Sequence, residues 1–249
     1  MVERDIVTKA FERYVSAYNA DDPKIRLKID HTYRVADLCD IIAQSIGIEN
    51  TDLAWLCGML HDIGRFEQIR RYDTFVDALS VDHAGLGADL LFHEDLLARF
   101  APHLTDDEGH ILECSIRSHS AYRLGTGLTD TEVLYCNILR DADKIDIFRV
   151  NCDIPLEEIY NATTEELRTS AVSEEVKECF RKQTAVPRHL KKTSVDYVVA
   201  HLCLSFELVY PISREIAREQ GYVNRLLAFE SDNPDTKAWF DYMKKNIRE

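Results

Sequence analysis

Six side chains in this sequence have the chemistry to close around metal ions. His61 and Asp62 are adjacent in Gly58-Met59-Leu60-His61-Asp62-Ile63-Gly64-Arg65, at the end of an apolar run. His31 lies upstream, and His83, His119 and Asp143 lie downstream. Four imidazoles and two carboxylates, each in an apolar helical setting, can surround one or two divalent ions. An imidazole nitrogen binds one cation, whereas a carboxylate can bridge two, so Asp62 is the natural bridge if two are bound. The mixed set suits Fe, Mn, Co, Ni or Zn, with Mg or Ca a poorer match.

Helices must bring these residues together. Ile6, Val7, Phe11, Tyr14, Val15 and Tyr18 share one helical face over 5–19, and Asp21-Asp22-Pro23 ends it. A second helix is expected from about Lys24 to Ile46. A third is expected from Thr51 to His61-Asp62, with Gly64 in a left-handed C-terminal position. On such a helix His61 and Asp62 project about 100° apart. Ser80 is the expected cap of a helix through Phe92. Thr105 with Glu108 and Thr129 with Glu132 fit the capping box, starting helices to about His119 and about Phe148. Short helices are expected near 155–161, 164–170 and 174–183, then an apolar helix at 194–209, one from Pro211 to Glu219, and a last one holding Trp239, Phe240 and Tyr242. No strand alternation, repeat or low-complexity tract appears. The fold class expected is all-α, with a core over 1–150 and a helical C-terminal extension over 151–249 packed on it.

Composition removes several functions. The 249 residues carry a formal net charge of -14, which disfavours binding to a nucleic-acid polymer or an anionic membrane. The seven Cys are odd in number and include no Cys-x-x-Cys, so free thiols in a reducing, cytoplasmic compartment are expected. No run approaches membrane-spanning length. Residues 153–178 hold eight acids and two bases, whereas 181–192 hold Arg181, Lys182, Arg188, Lys191 and Lys192 without an acid. A solvated, ion-paired surface is the plain account of that contrast, and a basic cover for a phosphorylated ligand is the sharper one.

The contexts Asp30-His31-Thr32-Tyr33-Arg34-Val35, Leu60-His61-Asp62-Ile63-Gly64 and Arg140-Asp141-Ala142-Asp143-Lys144-Ile145-Asp146 resemble the HD-domain superfamily of metal-dependent phosphohydrolases. The resemblance covers about 24–150. It implies an all-helical bundle core in which His31, His61, Asp62 and Asp143 hold a first metal. His83, in Val81-Asp82-His83-Ala84-Gly85, and His119, in Arg117-Ser118-His119-Ser120, are similar to the extra histidines of binuclear members, implying a second metal bridged by Asp62. The HD-GYP branch is a poor match: Ser120 follows His119 and no Gly-Tyr-Pro occurs, so cyclic-di-GMP hydrolysis is not supported. His201 is expected to be a hydrogen-bonded core residue, and His93, His103, His110 and His189 to be surface or structural.

The resemblance implies hydrolysis of a small, nucleotide-like phosphate ester, with a metal lowering the pKa of water to give the attacking hydroxide. Asp62, Arg65 and Lys144 are the candidate catalytic residues. Arg34, Arg65, Arg117, Arg123 and Lys144 are the candidate substrate-binding residues, since positive groups must face the phosphoryl oxygens without ligating the metal. Asp146 is a candidate to orient a histidine. Two alternatives share the ligand set: a mixed-valent di-iron oxygenase of the same superfamily, and a non-catalytic nucleotide-sensing module. The oligomeric state is open, with a homodimer one option.

Overall fold

The structure is a computed structural model that describes residues 2–247. Among them every regular element is a helix, so the chain is all-α. Its packing divides after Asp143 into two compact units. The first contains α1 (Arg4–Val15), α2 (Pro23–Ser45), α3 (Thr51–Leu60), α4 (Ile63–Tyr72), α5 (His83–Phe92), α6 (Leu97–Phe100), α7 (Asp106–Ser118) and the first part of α8 (Asp130–Asp153).

Local chemistry sets the starts of these helices. Asp22 caps α2 by accepting from Lys24 N, and Asn50 caps α3 by accepting from Leu53 N. Both halves of the Thr105–Glu108 capping box form, and Thr129 exchanges the same bonds with Glu132. The start of α5 differs from expectation. Asp82, not Ser80, is its cap, accepting from Ala84 N and Gly85 N, while the Ser80 hydroxyl donates to Val76 O. A carboxylate one residue before the helix meets the open amides better than a hydroxyl three residues before it.

Gly64 also departs from expectation. It does not end α3 in a left-handed turn; the chain bends at Asp62 (φ -105°, ψ 16°) and starts α4 at once. Its missing side chain serves close approach instead: a Cβ there would lie 2.2 Å from His83 O and 2.6 Å from Gly87 N. Gly58 does the same between α3 and α2, where a Cβ would lie 2.5 Å from Ala36 Cα. An aromatic cluster locks α1, α4 and α6, with Phe66 packed edge-on to Phe11 and Tyr14 at 5.9 Å and Tyr14 against Phe100 at 6.1 Å.

The second unit holds the rest of α8 and then α9 (Leu156–Tyr160), α10 (Thr164–Thr169), α11 (Glu174–Arg181), α12 (Ser194–Cys203), α13 (Pro211–Gln220), α14 (Tyr222–Leu227) and α15 (Pro234–Asn246). The apolar stretch expected as one helix over 194–209 breaks after Cys203 into a 3-10 turn, Leu204–Glu207. Phe180 packs on Phe206 and Trp239, and buried Asp196 accepts from Ser173 N, Lys192 N and Thr193 N. His201 is hydrogen-bonded, as expected, but half-buried: its Nδ1 lies 2.8 Å from Asn151 Oδ1 and 2.7 Å from the Tyr160 hydroxyl. Most of the basic run is neutralised locally, Arg181 by Glu174 and Glu178, Lys182 by Glu178 and Lys192 by Glu175. That is the solvated surface the sequence also allowed.

Lys191 is different. Its ammonium rests 4.5 Å from the Tyr197 ring centre, and burial, with Arg188 nearby, pushes it down to about 8. Between there and the ordinary lysine value of about 10.4, the unfolded chain binds a proton that the folded chain has released. Stability therefore rises with pH across that window. Lys191→Met is expected to stabilise the protein at neutral pH by on the order of 1 kcal/mol and to flatten that rise. Urea unfolding of both proteins at about pH 7 and about pH 10 measures it; parallel pH profiles would refute it.

Candidate metal centre

The six expected residues converge in the first unit. His31 is buried on α2, His61 ends α3, Asp62 occupies the bend into α4, His83 opens α5, His119 ends α7 and Asp143 lies on α8. His61, Asp62, His83 and His119 sit where helices end or begin, so their side chains meet without being on one helix face.

Hydrogen bonds fix the imidazoles' orientation. His61 Nδ1 lies 2.7 Å from Gly58 O, and His119 Nδ1 lies 2.7 Å from Ile116 O. A carbonyl only accepts, so each Nδ1 carries the proton and each neutral ring keeps its lone pair on Nε2. His83 Nδ1 faces both Asp77 oxygens at 2.9 and 3.0 Å, with the same result. Burial pushes His83 and His119 down to about 4, reinforced by Arg65 at His83 and by His61 at His119. Burial lowers His61 as well. Neutral rings with inward lone pairs follow for these three: His61 Nε2 faces His31 Nε2 at 3.3 Å, and the lone pairs of His83 and His119 crowd, their Nε2 atoms 3.0 Å apart. Two lone pairs at that separation repel unless a cation lies between them.

Asp62 lies among these nitrogens. Its Oδ2 is 3.6 Å from His31 Nε2 and 3.5 Å from His61 Nε2, while its Oδ1 is 3.6 Å from His83 Nε2 and 3.7 Å from His119 Nε2. Asp143 Oδ1 completes the first set, 3.2 Å from His31 and 3.9 Å from His61. Burial alone would raise the Asp62 carboxyl, but the charges of Lys28 and Arg65 act against it and the carboxyl is held well below the usual range. Asp143 is likewise held low against burial by the hydrogen bond and charge of His31. His31 with His61 and Asp143, and His61 with Asp62 and His119, could each hold a metal ion, as could His83 with Asp77 and Asp82. Neutral nitrogens and anionic oxygens are the donor set a divalent transition metal takes.

The basic candidates divide. Arg65 reaches the site: its Nε is 3.7 Å from Asp62 Oδ1, buried and without a hydrogen-bond partner. Its Nη1 donates to Gln68 Oε1, Phe75 O and Asp77 Oδ1. Arg117 forms ion pairs with Glu113 and Asp89, both at 2.8 Å. Arg123 is exposed and lies over the Tyr122 ring. Arg34 is half-buried on α2, and Lys144 and Asp146 are buried on α8. His93, His103, His110 and His189 are exposed.

Two residues of the site escaped the sequence reading. Lys28 Nζ lies 2.6 Å from Asp62 Oδ2, and its signal was its place one helical turn before His31. Asp77 bonds His83, Arg65 and Gln68 from the short 3-10 turn Asp77–Leu79, and no spacing rule relates that turn to a ligand.

These features define a helical domain built around a buried histidine–carboxylate cluster. Residues 29–147 match the HD domain model, and this segment belongs to the HD-domain superfamily. The chain is also similar to the crystal structure of a predicted HD superfamily hydrolase from an uncultured Thermotogales bacterium. That likeness has 21% identity over 90% of this chain and 88% of that one, with a TM-score of 0.42. Comparison with curated proteins finds no significant match. No helix among the described residues is long and apolar enough to cross a membrane.

Asp77 acts on the site through His83, as a carboxylate that sets ring orientation and basicity, and also anchors the Arg65 guanidinium. Asp77→Asn would place an amide NH2 against the donors Arg65 and Gln68 or against the His83 proton. It is expected to weaken metal binding at the His83 side about 10- to 100-fold and to leave the His31 side unchanged. Calorimetric titration with Mn or Co resolves the two; an equal loss at both sides, or none, would refute the role.

Proposed function

We propose that the protein is a metal-dependent phosphohydrolase acting on a small phosphate ester, nucleotide-like in size and charge, with two divalent transition-metal ions as cofactors. The observation that carries the reading is the two-sided Asp62 carboxylate, one oxygen facing His31 and His61 and the other facing His83 and His119. His31, His61, Asp62 and Asp143 would hold one ion, and Asp62, His83 and His119 the other. Ions there supply Lewis acidity toward a phosphoryl oxygen and lower the pKa of water.

The remaining chemistry belongs to the chain. Arg65 Nε is a buried donor without a partner beside Asp62, suited to an equatorial phosphoryl oxygen, while its Nη1 bonds hold the guanidinium in place. Lys28 adds a second cation at the opposite Asp62 oxygen, and Phe75 lies against both, 5.4 Å from Lys28 Nζ and 5.6 Å from the Arg65 guanidinium carbon. Arg34 and Lys144 remain candidates for further substrate contact. Arg117, already shared between two carboxylates, is a weaker candidate than Lys28. The negative net charge favours a small substrate over a nucleic-acid polymer or a membrane.

Phosphate release should be measured after reconstitution with Mn, Fe, Co, Ni, Zn and Mg separately, using nucleotides, sugar phosphates and cyclic nucleotides. Asp62→Ala is expected to abolish metal-dependent release while circular dichroism stays near wild type. His83→Ala is expected to lower the bound metal from two ions to one. Activity retained without Asp62 would dismiss the centre, and unchanged occupancy in His83→Ala would dismiss the second ion. Metal bound with no phosphate released, but oxygen consumed, would favour the oxygenase alternative.

A further inference from the structure

Two of the seven thiols touch. Cys114 Sγ on α7 and Cys136 Sγ on α8 lie 3.7 Å apart. All seven cysteines are free. A disulfide bond is about 2 Å long, so closure asks each sulfur to move by roughly 0.8 Å, within reach of small side-chain torsions at either residue. We propose that Cys114 and Cys136 are a reversible oxidation site, closed to a disulfide by a hydroperoxide and reopened by a dithiol.

The surroundings give the two sulfurs different roles. Cys114 is half-buried, so an oxidant can reach it, whereas Cys136 is fully buried. Cys136 donates toward Ser115 Oγ at 3.8 Å, and burial, with Cys114 beside it, pushes its thiol up to about 12. Cys136 is thus protected from oxidants in bulk solvent but already in contact with the one sulfur it would attack. That contact gives it the high effective concentration of an intramolecular reactant. Attack begins when the Cys114 thiolate takes the terminal oxygen of ROOH: the O–O bond breaks, ROH leaves and Cys114 becomes a sulfenic acid. Cys136 then loses its proton and attacks the Cys114 sulfur, the S–O bond breaks and water leaves. Two thiols and ROOH yield one disulfide, ROH and water. A dithiol reverses the change by exchange, its own two thiols becoming a disulfide.

The position of the bond matters for the first unit. Cys114 lies five residues before His119, and Cys136 lies two helical turns before Asp143 on the same face of α8. The disulfide would join the two helices that carry these residues.

The full-length protein, treated with hydrogen peroxide and then alkylated, gives the test. Peptide mapping is expected to find the segments containing Cys114 and Cys136 cross-linked, lighter by two hydrogens, and released by dithiothreitol. Cys136→Ser is expected to leave Cys114 as a sulfenic acid that dimedone traps, and Cys114→Ser to leave Cys136 unmodified at the same dose. The wild-type map decides alone if either variant fails to fold. Cys114 oxidised to sulfinic acid with Cys136 still a free thiol would overturn the proposal. So would oxidation confined to other cysteines, or no reaction at either sulfur.

Discussion

Repulsion between imidazole lone pairs is the constraint around which the first unit is built. Gly58 O and Ile116 O each take an Nδ1 proton, and Asp77 takes the third, so His61, His119 and His83 have only Nε2 left to offer inward. The His83 and His119 nitrogens are then held 3.0 Å apart with no proton between neutral rings. Burial prevents relief by protonation, because a charged imidazole loses more solvation there than it gains. The arrangement stores unfavourable electrostatics that a divalent cation converts into ligation.

Holding that arrangement requires backbone positions that ordinary side chains would spoil. The carbonyls that orient His61 and His119 belong to the last turns of α3 and α7, three residues before each imidazole. At the end of α7 the Ile116 carbonyl takes both the backbone N–H and the ring N–H of His119, so the residue that closes the helix is also the one whose ring is oriented. Gly58 brings α3 against α2, and with it His61 against His31, while Gly64 brings α4 against α5 beneath His83. The glycines therefore fix the spacing between the imidazoles of the two sets as much as they fix the packing.

What the sequence revealed follows from which interactions are local. Helix faces repeat over a few residues, so the all-α class and the capping boxes at Thr105 and Thr129 were legible. The six clustered residues were legible because each sits in a short motif. The bend at Asp62 was not, since the same Gly64 that permits a left-handed stop also permits a tight crossing, and only the approach of α5 decides between them. Lys28 and Arg34 flank His31 by one turn on either side. Spacing alone does not say from which end of α2 Asp62 approaches, and the structure brings Lys28 to it. Asp77 lies outside the pattern because the Arg65 and Gln68 side chains, through long-range bonds, carry its turn to His83.

Charge placement explains why a chain so acidic can still suit an anionic ligand. Along α11 bases meet acids within one or two turns, Lys192 reaches back to Glu175, and their fields cancel at the surface. Lys28 and Arg65 instead lie against buried carboxylates, where the low dielectric preserves their influence. Asp62 and Asp77 absorb those two charges in the absence of other cations. On the proposed reading, divalent ions sharing Asp62 would weaken its hold on Lys28 and Arg65 and leave their donors for an anion beside the ions. The carboxylate that gathers the imidazoles would, on that reading, also govern how strongly the neighbouring cations are available to a substrate.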